Sequence, residues 1–148
     1  MLLVDITTNI AAPPMKVWRA ICDFETYSRW NPYREIVGVP GLGEEVVLKI
    51  GAERAARRSL RARITAFEPG QLIEFTSGRS FLVCAQERFE LERSARGCWL
   101  RHSAHADGIA AGIATRLTSK TELRRVYECV DDALAHFIAP GLQPKRRS

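Results

Sequence analysis

SKTELRRVYECVDDALAHFI, residues Ser119 to Ile138, is the stretch that decides the fold. Read at helical spacing, Leu123, Val126, Tyr127, Val130, Leu134 and Phe137 fall on one stripe. Arg124, Arg125, Glu128, Asp131 and Asp132 fall on the other side, which reads as the face for water. Ser119 followed three residues later by Glu122 is a capping-box pair, each side chain taking a backbone N–H that the first turn leaves open. Ala139-Pro140-Gly141 ends the run, since proline cannot continue the ladder and glycine accepts the exit geometry. Such a helix must lay its stripe on an apolar surface, and the chain upstream is patterned to supply one.

That upstream pattern is sheet. Val4, Ile6, Thr8 and Ile10 alternate with Asp5, Thr7 and Asn9, the signature of a half-buried strand. Pro13-Pro14 stops it and opens a short helix that buries Val17, Trp18 and Ile21. Asp23 is placed to cap a second helical turn through Tyr27 to Trp30, closed by Asn31-Pro32. Further strands are expected over Arg34–Val39, Glu44–Ile50, Leu60–Ala66, Leu72–Thr76, Phe81–Glu92 and Cys98–Asp107, separated by turns such as Glu68-Pro69-Gly70-Gln71 and Ser94-Ala95-Arg96-Gly97. Seven strands, a small helical pair and one long terminal helix make an α+β pattern. The stretch from Gly108 to Leu117 reads either as a crossover or as an early extension of the helix.

The chain has 148 residues with 46% hydrophobic and 26% charged, values of an ordinary globular protein, and one domain over residues 1–140 is expected. Part of the net charge of +5 sits in Lys145-Arg146-Arg147, so residues 141–148 read as a disordered basic tail. Arg54, Arg57, Arg58, Arg61 and Arg63 form a second basic cluster. No aromatic residues interleave with it, so it reads as a solvated face and no nucleic-acid partner is expected. Cys22, Cys84, Cys98 and Cys129 have neither CxxC nor histidine-containing metal spacing, so no metal and no disulfide framework are expected; the binding reading preferred below calls for no cofactor. No apolar run approaches the length of a membrane span, and a cytoplasmic protein without stable membrane insertion is the default reading.

Several local words, in this order, resemble a known family. Ile10-Ala11-Ala12-Pro13 followed by Val17-Trp18, then Asp23, Tyr27 and Trp30-Asn31-Pro32, is similar to the opening of the START-like, pollen-allergen-like superfamily (SRPBCC). Ile64-Thr65-Ala66-Phe67-Glu68-Pro69-Gly70, Phe89-Glu90-Leu91-Glu92 and Asp107-Gly108 extend the similarity over roughly residues 4 to 138, nearest its polyketide cyclase/dehydrase and lipid-transport branch. The resemblance implies the helix-grip fold: a curved seven-stranded antiparallel sheet wrapped around the C-terminal helix, leaving an apolar cavity between them. It implies no common catalytic motif, so chemistry carried over from the fold would be analogy.

With the last hairpin centred on Ser94–Gly97, Phe89 should face His102, with Glu87 one diagonal away. Glu87 and His102 on an otherwise apolar face could act as general base and proton relay with Tyr127, or simply bond to one another. The expected cavity lining is Trp30, Leu48, Ile64, Phe75, Ala85, Glu87, Phe89, Leu100, His102, Ala104, Val126, Tyr127 and Val130, with Asn31 and Tyr33 near its mouth. Trp18 is expected in the core. Arg116 reads as an acidic-group anchor or as solvent-exposed; His105 and His136 have no assigned role. The preferred reading is binding of a small hydrophobic or aromatic molecule. One alternative is cofactor-free cyclisation or dehydration of a polyketide-like substrate, and the other is a protein–protein module or homodimer with a vestigial cavity.

Overall fold

In the computed structural model, which describes residues 1–79, 81–113 and 119–147, the first strand obeys its alternation. β1 (Leu2–Ile10) buries Val4, Ile6, Thr8 and Ile10 and leaves Asp5, Thr7 and Asn9 half exposed. Then come α1 (Pro14–Cys22), a 3-10 helix (Phe24–Arg29), β2 (Arg34–Val37), β3 (Glu45–Ile50), a second 3-10 turn (Arg54–Ala56), β4 (Arg58–Glu68), β5 (Leu72–Arg79), β6 (Val83–Ser94) and β7 (Gly97–Asp107). The long helix is α2 (Lys120–Ile138), and β8 (Lys145–Arg147) follows it.

The strands form one antiparallel sheet in the order β2-β3-β4-β5-β6-β7-β1-β8, with α2 packed on its inner face against β1. Folding β1 beside β7 carries the N-terminal strand across to the last hairpin, and the turn there is tight. Gly97 has φ +137°, and a Cβ on it would come within 2.2 Å of the Ile10 carbonyl oxygen, so only glycine fits. The β6–β7 register places Phe89 opposite His102 and Glu87 opposite Ala104, as the hairpin reading expects.

The core is unevenly filled. Ile10, Val17, Ile21, Phe24, Tyr27, Ile64, Leu100 and Leu134 form a dense cluster beneath α1 and the C-terminal half of α2. Trp18 packs there on Phe67, ring centroids 5.3 Å apart. A thinner cluster of Val4, Ile6, Ala104 and Tyr127 lies toward the N-terminal half of α2. Where the packing thins, room remains.

Five expectations need correction. The sheet has eight strands, because Lys145–Arg147 pairs with Thr7–Asn9 of β1. Arg146 donates to the Glu128 carbonyl at 2.8 Å, and the Arg147 guanidinium lies 4.2 Å from the Trp99 ring centre, so these three tail residues are held against the sheet while Lys145 and Arg147 stay exposed. Asp131, assigned to the water face, is fully buried. Phe137, assigned to the stripe, is 41% exposed, while Ala135 and Ile138 are buried, so the buried stripe is rotated toward Asp131. Asp23 makes no side-chain cap; the Thr26 hydroxyl instead donates to its carbonyl. Ser119 does cap α2, its Oγ accepting from the Glu122 N–H at 3.2 Å. In the ambiguous stretch, Ile109 and Ala110 donate to the Phe81 and Leu82 carbonyls and residues 111–113 are helical; Arg116 and the rest of residues 114–118 lie outside the described residues.

Candidate functional site

Between α2 and the inner face of the sheet lie two adjoining hollows, of about 200 Å³ and about 210 Å³. Arg34, Ile50, Glu87, Leu123 and Tyr127 border both and form the waist. The first is completed by Asn31, Tyr33, Phe89, His102, Val126 and Val130, and the second includes Leu48, Leu60, Phe75, Ala85, Ala104 and His105. Of the residues expected on the lining, Leu48, Phe75, Ala85, Glu87, Phe89, His102, Ala104, Val126, Tyr127 and Val130 border one lobe or the other. Trp30, Ile64 and Leu100 do not. Ile64 and Leu100 are fully buried in the dense cluster, and Trp30 packs on Tyr27 with centroids 4.7 Å apart. A larger groove of about 740 Å³ lies on the outer face of the sheet, lined by Asp5, Glu68, Glu90, Glu92, Arg101 and Trp99, where Arg147 already lies over the Trp99 ring.

The waist is built by a turn. The Asn31 side-chain oxygen accepts from the backbone N–H groups of Tyr33 and Arg34 at 2.9 and 3.0 Å, which launches β2 and aims Arg34 inward beside Ile36. An arginine Nη1 then donates to one oxygen of Glu87. The other Glu87 oxygen meets His102 Nε2 at 2.7 Å, and His102 Nδ1 meets Asp131 Oδ1 at 2.7 Å. The Thr8 hydroxyl closes the row, donating to Asp131 Oδ2 at 3.2 Å. The row therefore ties β2, β6, β7, α2 and β1 together through side chains alone. The His102 ring is also clamped between Phe89 and Tyr127, with centroids 4.1 and 4.0 Å away.

An ionised carboxylate can only accept, so an imidazole set between two of them donates from both ring nitrogens as the cation. Burial alone would lower the His102 pKa, but the Asp131 charge and hydrogen bond, with those of Glu87, outweigh it and push it up to about 9. Burial alone would raise the Glu87 pKa, but Arg34 and His102 outweigh it and hold it down to about 2. Burial, followed by the Glu87 charge beside it, pushes the Tyr127 phenol well up. At neutral pH the row is thus a chain of formed ion pairs. Neither ring nitrogen of His102 has a lone pair to spare, and Glu87 is too weakly basic and fully engaged to serve as a strong general base.

Sequence reasoning found Glu87, His102 and Tyr127 but missed Arg34, Asp131 and Thr8 as their partners. Arg34 precedes Ile36 by two and so shares its inward face; Asp131 follows Tyr127 by four and precedes Leu134 by three. Both signals were present and were outweighed by the charge of the side chain. Among the described residues, no group of three His, Cys, Asp or Glu side chains could hold a metal ion, because Glu87 and Asp131 lie on opposite edges of the imidazole.

The family profile for polyketide cyclase/dehydrase and lipid transport matches residues 1–137. The chain belongs to that family. The helix-grip expectation stands with it, in an eight-stranded form. Among solved structures, a Rhodobacter sphaeroides protein is 18% identical with a TM-score of 0.74, covering 91% of this chain and 90% of its own. An AHSA1-like protein from Aeromonas hydrophila is 12% identical with a TM-score of 0.66, covering 91% of this chain and 92% of its own. DynU16, a protein of the dynemicin biosynthetic locus, is 16% identical with a TM-score of 0.71; the match covers 95% of this chain but 48% of DynU16. Identities this low speak for the shared fold alone. No protein of curated function matches the chain in sequence. Among the described residues, no helix is long and apolar enough to cross a membrane.

Proposed function

We propose that this chain binds one small, predominantly apolar molecule with a flat body in the two-lobed hollow between α2 and the sheet. The observation that carries the reading is the hollow's lining: Leu48, Ile50, Phe75, Phe89, Leu123, Val126 and Val130 surround it, and the charged groups gather at the waist. Together the lobes reach the lower part of the size range of small-molecule sites, about 300–1,000 Å³. Transfer of apolar ligand surface from water supplies the affinity, at about 25 cal/mol per Å², and the waist sets orientation. The two lobes also speak against a vestigial cavity, because a domain kept only as a protein-docking module has no reason to leave its core unfilled.

The cyclase or dehydratase alternative uses the same space with Glu87, His102 and Tyr127. It needs a base able to take a proton, and the ion pairs of the waist occupy both candidate bases. Binding without turnover is therefore the reading the geometry favours.

Titration with 1-aminoanthracene, a neutral probe whose emission rises in apolar surroundings, tests it. Saturable binding at one probe per chain is expected, and Ala85→Phe, which grows a ring into the second lobe, should weaken it at least tenfold while leaving the thermal midpoint within a few degrees. Non-saturable emission, or binding indifferent to Ala85→Phe, counts against the site. Native mass spectrometry of protein purified from its own host would then weigh the natural occupant.

A further inference from the structure

An arginine at the neck of an apolar hollow ordinarily reads as an anchor for an anionic head group. The surroundings of Arg34 contradict that. We infer that the hollow selects an uncharged ligand: Arg34 offers N–H donors to a neutral oxygen acceptor, such as an aryl ketone or ester carbonyl, and the site disfavours the matching carboxylate. The inference rests on the reading of the hollow as a binding site and adds the class of molecule that site takes.

Arg34, Glu87, His102 and Asp131 alternate in sign along one hydrogen-bonded row, so their charges cancel. Their side chains are 15%, 11%, 1% and 0% exposed, so water does little to screen an addition. A ligand carboxylate against Arg34 would bring a second negative charge to a guanidinium already neutralised by Glu87. Among the described residues, the only other titratable groups on the lining are Tyr33, Tyr127 and His105; the tyrosines offer no positive charge, and His105 sits at the far lobe. A buried excess charge with no partner is costly, and a like charge beside Glu87 adds repulsion.

A guanidinium carries five N–H donors, and among the described residues Glu87 alone accepts from this one. Arg34 borders both lobes, so its remaining donors are within reach of a guest in either. Polar groups that meet a fitting acceptor favour it over an analogue lacking one, because otherwise they stay unpaired on ligand entry. The waist therefore calls for an oxygen that accepts without carrying charge.

Three probes with the same two fused rings test this on the unmodified protein at pH 7: 2-acetylnaphthalene, naphthalene and 2-naphthoate, compared by calorimetric titration. The ketone should bind tightest, naphthalene next and the carboxylate weakest, with the ketone ahead of the carboxylate by about tenfold or more. Naphthoate binding as tightly as the ketone overturns the selection while leaving the binding site intact. Failure of all three to bind removes the site itself and the inference with it. Glu87→Gln supplies the second arm, since it keeps an acceptor for Arg34 but leaves the row with one positive charge in excess. The ketone's advantage should shrink at least fivefold or reverse; an unchanged ratio in a variant that still melts cooperatively also overturns the inference. Should that variant fail to fold, the order of the three probes on the unmodified protein still decides.

Discussion

Glu87 and Arg88 are neighbours in the chain, yet they belong to two rows of charge that cross the sheet on opposite faces. On the outer face Arg88 meets Glu74 at 3.2 Å and Glu90 at 3.9 Å, Glu90 meets Arg101 at 3.8 Å, and Arg101 grips Asp5 at 2.7 Å. On the inner face Arg34, Glu87, His102, Asp131 and Thr8 form a row of similar length. The chemistry is nearly the same, but the surroundings differ: Arg101 is 53% exposed, whereas His102 and Asp131 are sealed. Where the outer row is open to solvent, as at Arg101, water and salt reduce a pair to about 0–1 kcal/mol. Inside, each member depends on the others, because removing one leaves a charge with neither partner nor solvent. The outer row decorates the sheet. The inner row specifies how five elements meet.

The largest expected difference comes from cutting each row once. Asp131→Ala leaves the His102 imidazolium with one counterion and the Thr8 hydroxyl without an acceptor, and should cost about 3–5 kcal/mol in urea unfolding. A cost no greater than that of an outer-row substitution would erase the contrast. Next in size is the pH dependence. The folded-state pKa of His102 lies above its unfolded value of 6.5, so its contribution is whole below about pH 6.5 and is lost as pH climbs through about 9. The folded-state pKa of Glu87 lies below its unfolded value of 4.5, so its contribution is whole above about pH 4.5 and is lost as pH falls toward about 2. Thermal midpoints measured from pH 3 to 10 should therefore peak near pH 5–6 and decline on both sides, and His102→Phe should flatten the alkaline limb. The smallest effect belongs to Arg101→Ala, at most about 1 kcal/mol. That loss should vanish in 1 M salt, where charges are screened within about 3 Å.

How much of this was readable beforehand depends on what each residue's position demanded. The alternation of β1 and the spacing of the Ser94–Gly97 hairpin specified which side chains face inward, and so brought Phe89 opposite His102. The Ser119 cap was legible because its partner is three residues away. Asp131 was not, because helical phase placed it inward while its charge argued outward, and its partners Thr8 and His102 are 123 and 29 residues distant. Arg34 failed for the same reason, its counterion Glu87 lying 53 residues on. A buried charge is visible in a sequence only to a reader who already knows what will neutralise it. β8 was missed on different grounds. Three residues are too few to show a period, and what holds them is the Trp99 ring and the Glu128 carbonyl, both supplied by distant chain.

β8 also bears on how copies of this protein behave in company. An open sheet has two rims, and each invites a stranger's backbone to zip alongside. At one rim β2 offers only four residues, Arg34–Val37, too short a template to hold a visitor. At the other, Lys145–Arg147 lines Thr7–Asn9 with three consecutive basic residues, and the register slip between Leu2 and Val4 skews the remainder of β1 against β7. A molecule that keeps a hollow interior gives up some packing, and rims this short and irregular leave a neighbouring sheet little straight edge to extend.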